Sequence, residues 1–215
     1  LLGWKNIFLY PGSERDPNDL SNQSSEIIWG QFQVLSELIS TNNNNNLCII
    51  TTERALQPHL PPREYFESNC FKLLVGEELD LEVLSSNLAK LGFKKINHVD
   101  QEGTWSRRGD IVDIFPVNNE LPIRLELFGN NLEKIKEFDP ATQRSLDQID
   151  SILITPIGID PLICSKLKEI NYANIEELIS LDIYNSILEG VSKEGITRLL
   201  GLAWKSPNSI LDYLP

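Results

Sequence analysis

Residues 103–146 read GTWSRRGDIVDIFPVNNELPIRLELFGNNLEKIKEFDPATQRSL, and this stretch decides the fold of the middle of the chain. Residues 110–115 (DIVDIF) are rich in β-branched and aromatic side chains and are followed by a proline, as is typical of a strand. Residues 122–128 predict a second strand because their polarity alternates with a period of two. A Gly-Asn-Asn turn leads into a third strand that ends at Phe138. The stretch therefore predicts an antiparallel sheet.

The alternation in the second strand separates its two faces: Ile123, Leu125 and Leu127 on one, and Arg124, Glu126 and Phe128 on the other. An ordinary half-buried strand would carry only polar groups on its outer face, so Phe128 is unusual there. Two interpretations stay open. Phe128 sits at the strand end and packs under a neighbouring loop, or it forms an interface together with Arg124, since arginine and aromatic residues dominate protein interface hot spots.

Three blocks in this stretch resemble a known family: WSRRGDIVDIFP at 105–116, PIRLELFG at 122–129 and IKEFDPATQRSL at 135–146. They are similar, in this order and spacing, to the pattern shared by the excinuclease subunit UvrB and the bacterial transcription-repair coupling factor, Mfd. The segment at 9–38 (LYPGSERDPNDLSNQSSEIIWGQFQVLSEL) lacks the long hairpin with which UvrB clamps damaged DNA. The resemblance is therefore to the coupling factor rather than to UvrB.

The first region predicts a parallel α/β layer. Residues 6–10 (NIFLY) and 47–51 are short apolar strands, and a helix lies between them with Ser24 or Ser25 as its N-cap. Its apolar face carries Ile28, Phe32, Leu35 and Ile39.

The middle region predicts an α+β domain, and the last region predicts helices. A strand over 71–75 precedes a helix that is capped by Asp80, and 93–99 returns as a strand. The sheet then continues through the organising stretch to 152–154. The helices of the last region are expected over Leu162–Ile170, Ile175–Leu188 and Ile196–Ala203, with Trp204 and the tail packing back.

The resemblance implies how these regions connect. It implies a discontinuous Rossmann-like domain of degenerate helicase type, formed by residues 1–69 and 157–215, into which residues 70–156 are inserted as an α+β domain of mostly antiparallel sheet. We also expect the chain to be a piece of a longer protein, because it contains no Met.

Composition argues against several function classes. The formal net charge is −12, so unaided DNA binding is not expected. There is no GxxxxGK[ST] loop to hold a nucleotide phosphate, and no apolar run approaches the roughly 20 residues of a membrane span. We expect free thiols at the three distant cysteines. The carboxylate pairs Asp110/Asp113 and Glu133/Glu137 are expected to be solvated strand charges rather than a metal site.

The resemblance implies that the middle domain docks UvrA, the damage-recognition subunit of excision repair. The family pattern places the binding residues at Arg108, Arg124 and Phe128, and we add Arg107 and Glu126 as candidates. In this hypothesis two exposed arginines pair with partner carboxylates, and Phe128 anchors between them. The chain would recruit UvrA without catalysing a reaction, and it would hold no cofactor.

The resemblance assigns the remaining activities to other domains of a cytoplasmic parent protein: ATP and Mg, RNA polymerase and double-stranded DNA. It also implies that another domain can mask the UvrA-binding face. Two alternatives stay open, namely a nucleotide- and DNA-binding enzyme fragment and a purely structural or autoinhibitory domain.

Overall fold

A computed structural model of the chain describes residues 6–12, 25–40, 47–189 and 195–214. The described strands and helices follow in chain order as β1 (Asn6–Tyr10), α1 (Ser25–Ser40), β2 (Leu47–Thr51), α2 (Arg63–Ser68), β3 (Phe71–Leu74), α3 (Leu81–Lys90), β4 (Lys94–Lys95), β5 (Thr104–Arg108), β6 (Ile111–Phe115), β7 (Ile123–Phe128), β8 (Asn131–Phe138), β9 (Ser145–Ile149), β10 (Ser151–Ile154), α4 (Asp160–Lys168), α5 (Leu181–Glu189) and α6 (Leu200–Ala203). None of the described helices is both long and apolar enough to cross a membrane.

These elements form two units. The first unit contains Leu1–Ser68 and Gly158–Pro215, and the second contains Asn69–Ile157. The second unit is therefore a continuous piece of chain that interrupts the first.

The first unit contains the predicted parallel layer. β1 and β2 pair in parallel, with Asn6 opposite Leu47 and Tyr10 opposite Thr51, and α1 connects them. Phe32 and Leu35 of α1 are buried, as the helix pattern predicts, whereas Ile28 and Ile39 are only half-buried. Ser24 and the Ser25 side chain, the two predicted caps, lie outside what the structure describes. The Rossmann-like architecture of this unit stays a prediction.

The carboxyl-terminal segment of the first unit packs against its amino-terminal segment, as predicted. The buried Tyr213 hydroxyl donates a hydrogen bond of 2.9 Å to the carbonyl of Pro61, and Arg63 donates to the carbonyl of Tyr213. The predicted helix over Ile175–Leu188 is wrong in its first half. The helix begins only at Leu181, because the Ser180 hydroxyl accepts from the N–H of Ile183 and so caps it there.

The second unit has its own core. Asp80 caps α3 as predicted, accepting hydrogen bonds from the N–H groups of Glu82 at 2.8 Å and Val83 at 3.2 Å. The helix buries Leu81, Leu84 and Leu88 against a sheet. On the sheet side the buried contributors are Trp105, Val112, Ile114, Ile123, Leu125, Leu127, Leu132 and Ile135. The fold class of this unit, one helix on a mostly antiparallel sheet, matches the prediction.

The strands of the second unit form two sheets rather than the single sheet that was expected. Six strands follow the spatial order β4-β5-β6-β7-β8-β9, and β10 pairs with β3 in a separate antiparallel pair. The chain turns at Asp150, between β9 and β10, and the carbonyl of Asp150 accepts a hydrogen bond from the N–H of Val75. After this turn β10 pairs with β3 instead of extending the six-stranded sheet. The predicted strand over 93–99 shrinks to Lys94–Lys95, which pair in parallel with Thr104 and Trp105 of β5.

Candidate partner-binding face

The candidate residues belong to the six-stranded sheet, whose two faces differ. One face packs on α3. We call the other face the outer face. The pairing register assigns to it Ser106, Arg108, Ile111, Asp113, Arg124, Glu126, Phe128, Lys134 and Lys136. The period-two alternation predicted for β7 is confirmed, since Ile123, Leu125 and Leu127 are buried in the core.

Arg124 lies in the middle of the outer face and is committed to contacts inside the unit. Its Nε and Nη2 donate to the two carboxylate oxygens of Asp113 at 2.7 and 3.0 Å, and its Nη1 donates to the carbonyl of Gln143 at 3.3 Å. The guanidinium carbon stands 4.7 Å from the centre of the Phe138 ring. Hydrogen bonding to Asp113 raises the pKa of Arg124, against the lowering effect of burial. The side chain is only 15% exposed, so Arg124 is not the freely displayed arginine that was expected.

Arg108 is the arginine that the outer face displays. It is the last residue of β5, its side chain is 62% exposed, and its Nη2 donates to Asp113 Oδ2 at 3.2 Å. Gly109 follows it with φ of 62°, a conformation that glycine adopts without steric cost at the turn into β6. The guanidinium of Arg108 therefore keeps donors that can reach a partner.

Phe128 ends β7 and stands out from the surface. It is 76% exposed, which contradicts the interpretation that it packs under a loop. The N–H of Leu127 donates to the carbonyl of Asp110 at 2.9 Å, so Phe128 and the β5–β6 turn occupy the same end of the sheet. Ile111, in the register position between Arg108 and Glu126, is also exposed.

Phe128 does not lie between the two arginines, as was expected. It is four positions from Arg124, or about 13 Å along a strand. Arg108 is level with Glu126 in the pairing register, so both arginines lie on the same side of Phe128. The order along the sheet is Arg124, then Arg108, then Phe128.

The two remaining candidates have different places. Glu126 is on the outer face, where it accepts a hydrogen bond of 2.7 Å from Lys136 Nζ across the strand pair. Arg107 is on the opposite face, because neighbouring strand residues alternate, and its Nη1 lies 2.7 Å from Glu82 of α3. The structure thus brings four of the five candidates to one face and leaves Arg107 on the other.

Asp113 was missed as a site residue. It was interpreted as a solvated strand charge, and that is wrong, since it is 1% exposed and holds Arg108 and Arg124 at once. In the sequence, its place among the outward positions of β6 was the available signal. Within the described part of the chain, no group of three His, Cys, Asp or Glu side chains could hold a metal ion.

A comparison with protein-family models matches residues 71–158 to the UvrB interaction domain. The second unit is thus similar to a UvrB interaction domain over nearly all of its residues. All five candidate residues, and Asp113 with them, lie inside it.

Curated relatives extend the similarity of this domain to the rest of the chain. The transcription-repair-coupling factor of Bacillus subtilis (strain 168) is 27% identical over 233 residues, which covers 100% of this chain and 20% of the relative. The transcription-repair-coupling factor of Staphylococcus aureus (strain MRSA252) is 29% identical over 224 residues, or 96% of this chain and 19% of the relative. The resemblance to the UvrB-homology module of coupling factors is confirmed. The chain spans about a fifth of the length of these relatives.

Proposed function

We propose that this chain recruits UvrA to stalled transcription complexes through the outer face of its UvrB interaction domain. The observation that carries the proposal is an exposed Phe128 on a packed sheet, at the same end as an arginine whose side chain is 62% exposed. A large apolar ring exposed beside a cation is the composition of an interface hot spot. The sheet behind it is held by its own core, so little ordering is needed on binding.

The chemistry of this face defines the surface that it fits. Arg108 takes one carboxylate of UvrA through charge-assisted hydrogen bonds, and Phe128 with Ile111 enters an apolar pocket beside that carboxylate. Arg124 supports the face from within. Its donors already meet Asp113 and Gln143.

The action of the module is binding, without a reaction of its own. In the whole protein, ATP hydrolysis and the contacts with RNA polymerase and double-stranded DNA belong to other domains, and one of these domains covers the outer face until UvrA is needed. This role places the protein in the cytoplasm, where bacterial transcription takes place.

Titration of purified UvrA with the chain tests the proposal. Phe128→Ala should weaken binding by about 2 kcal/mol or more, roughly 30-fold in Kd, because the anchor is lost from its pocket. The matched control is Val83→Ala, which truncates an exposed apolar residue of α3, on the other side of the sheet. We expect Val83→Ala to bind as the unaltered chain does. Equal Kd values for the two variants would contradict the proposal.

A further inference from the structure

Three charged side chains meet on the outer face and form a chain of contacts from the inside to the surface. Asp113 is 1% exposed, Arg124 is 15% exposed and Arg108 is 62% exposed. Both arginines donate to the same carboxylate, and they share its Oδ2 atom at 3.0 and 3.2 Å. Asp113 is thus the link between a half-buried cation and an exposed one.

The inner pair is held by several hydrogen bonds at once. Each nitrogen of the Arg124 guanidinium donates to an acceptor inside the unit, two of them to Asp113 in the forked geometry that is strongest for a carboxylate. The ring of Phe138 lies beside the same guanidinium. Arg124 therefore fixes the position of the Asp113 carboxylate and has no nitrogen left without an acceptor.

Among the described residues, the outer contact is a single hydrogen bond. Arg108 reaches Asp113 through one nitrogen, Nη2, at 3.2 Å. An arginine side chain without such a contact samples many rotamers, and the loss of this conformational entropy on binding reduces the affinity for a partner. A fixed carboxylate behind Arg108 reduces this cost, because it holds the guanidinium over the outer face before the partner arrives.

We propose that Asp113 is a positioning residue that aims Arg108 at the partner, and that Arg124 contributes to binding through Asp113 rather than by touching the partner. This inference rests on the proposed function, because the partner is UvrA. It differs from a direct role of Arg124 in its consequence. The effects of Asp113 and Arg108 on affinity must be coupled, whereas those of Asp113 and Phe128 must be independent.

The test is a set of UvrA titrations with the full chain. Asp113→Asn should weaken binding about 10-fold, and it should have no further effect in a chain that already carries Arg108→Ala. Phe128→Ala should keep its full effect in the Asp113→Asn chain. Asp147→Asn is the matched control. It makes the same chemical change at an exposed aspartate of β9, three strands from β6 or roughly 14 Å away, and it should leave Kd unchanged.

Two results would overturn the inference. One is an unchanged Kd for Asp113→Asn. The other is a loss that multiplies with that of Arg108→Ala, which would mean that Asp113 acts on something other than Arg108. A collapsed face would instead be revealed by Phe128→Ala, which would then lose its effect in the Asp113→Asn chain, and this too would contradict a positioning role.

Asp113→Asn leaves Arg124 without a charged partner and can destabilise the unit. The double variant Asp113→Asn with Arg124→Met removes both inner charges, so that no unpaired charge stays buried. In this background as well, Arg108→Ala should weaken binding by less than it does in the unaltered chain. An undiminished loss would overturn the inference.

A measurement without UvrA separates this inference from the proposed function. Side-chain ¹⁵Nε relaxation of Arg108 in the free chain reports the order of its guanidinium. Asp113→Asn should lower that order, and an unchanged order would overturn the inference whether or not UvrA binds. If UvrA fails to bind the unaltered chain while Arg108 loses its order in Asp113→Asn, only the proposed function fails.

Discussion

Arg107 and Arg108 are neighbours in the sequence, but their side chains leave opposite faces of the sheet. Arg107 pairs with Glu82 of α3, which is exposed, so the pair contributes little to stability. Arg108 stands on the outer face against the buried Asp113. One position along a strand therefore decides whether an arginine supports a helix or faces a partner.

His59 is a second residue whose surroundings have a measurable consequence. Its Nε2 lies 2.8 Å from the hydroxyl of the buried Tyr10, and its Nδ1 lies 2.6 Å from the carbonyl of Gln57. Burial lowers the pKa of His59 below 6.5, against the opposing effect of the hydrogen bond to Gln57. Between the folded pKa and 6.5, the unfolded chain binds more protons than the folded chain.

The free energy of unfolding should therefore fall as the pH is lowered from 6.5 through the folded pKa of His59, and His59→Gln should reduce this dependence. Urea unfolding at a series of pH values measures it. Identical slopes for the two chains would show that His59 does not carry the effect.

At this scale the sequence predicts faces well and pairings poorly. The alternation in β7 placed Arg124, Glu126 and Phe128 on one face correctly, because side-chain direction follows strand position alone. It did not reveal that Arg124 is paired with Asp113, eleven residues away in the chain. That contact depends on the register between β6 and β7.

The elements of the second unit differ in how much of their structure is local. The sequence of α3 contains its own cap, Asp80, an apolar stripe that is buried at Leu81, Leu84 and Leu88, and Gly92 just after its end, with φ of 90°. The partition of strands into two sheets was not predictable. It depends on the pairing of β10 with β3, which are about 80 residues apart. Neither strand has a sequence pattern that specifies the other as its partner.

The cap of α3 gives a prediction for this element. Asp80→Ala removes the acceptor for two N–H groups of the first turn and should destabilise the second unit by about 1 kcal/mol. Chemical denaturation measures the change. Asp80→Asn should cost much less, since asparagine is an equally good N-cap. Equal losses for the two variants would show that the carboxylate acts by its charge rather than as a cap.

For the molecule as a whole, the insertion of one unit into another was anticipated through the resemblance and not through composition. Pro58, Pro61 and Pro62 lie near one boundary, and Pro156 and Pro161 lie near the other, but nothing in their chemistry says that the segments on either side rejoin. The rejoining is carried by contacts such as Tyr213 with Pro61, which are 152 residues apart. The outer face lies wholly inside the continuous unit.

The whole chain is acidic, yet its candidate binding face displays an arginine and a phenylalanine. A formal charge of −12 disfavours nucleic acid as the partner of this chain. A protein surface that offers a carboxylate beside an apolar pocket fits the face better, and the central claim is that UvrA binds there.

The most direct test compares two adjacent arginines in a titration of UvrA with the chain. Arg108→Ala removes a cation from the outer face and should weaken binding about 10-fold or more, whereas Arg107→Ala removes one from the opposite face and should leave Kd within about twofold. Equal losses for both variants, or a loss for Arg107→Ala alone, would contradict the assignment of the outer face as the UvrA-binding surface.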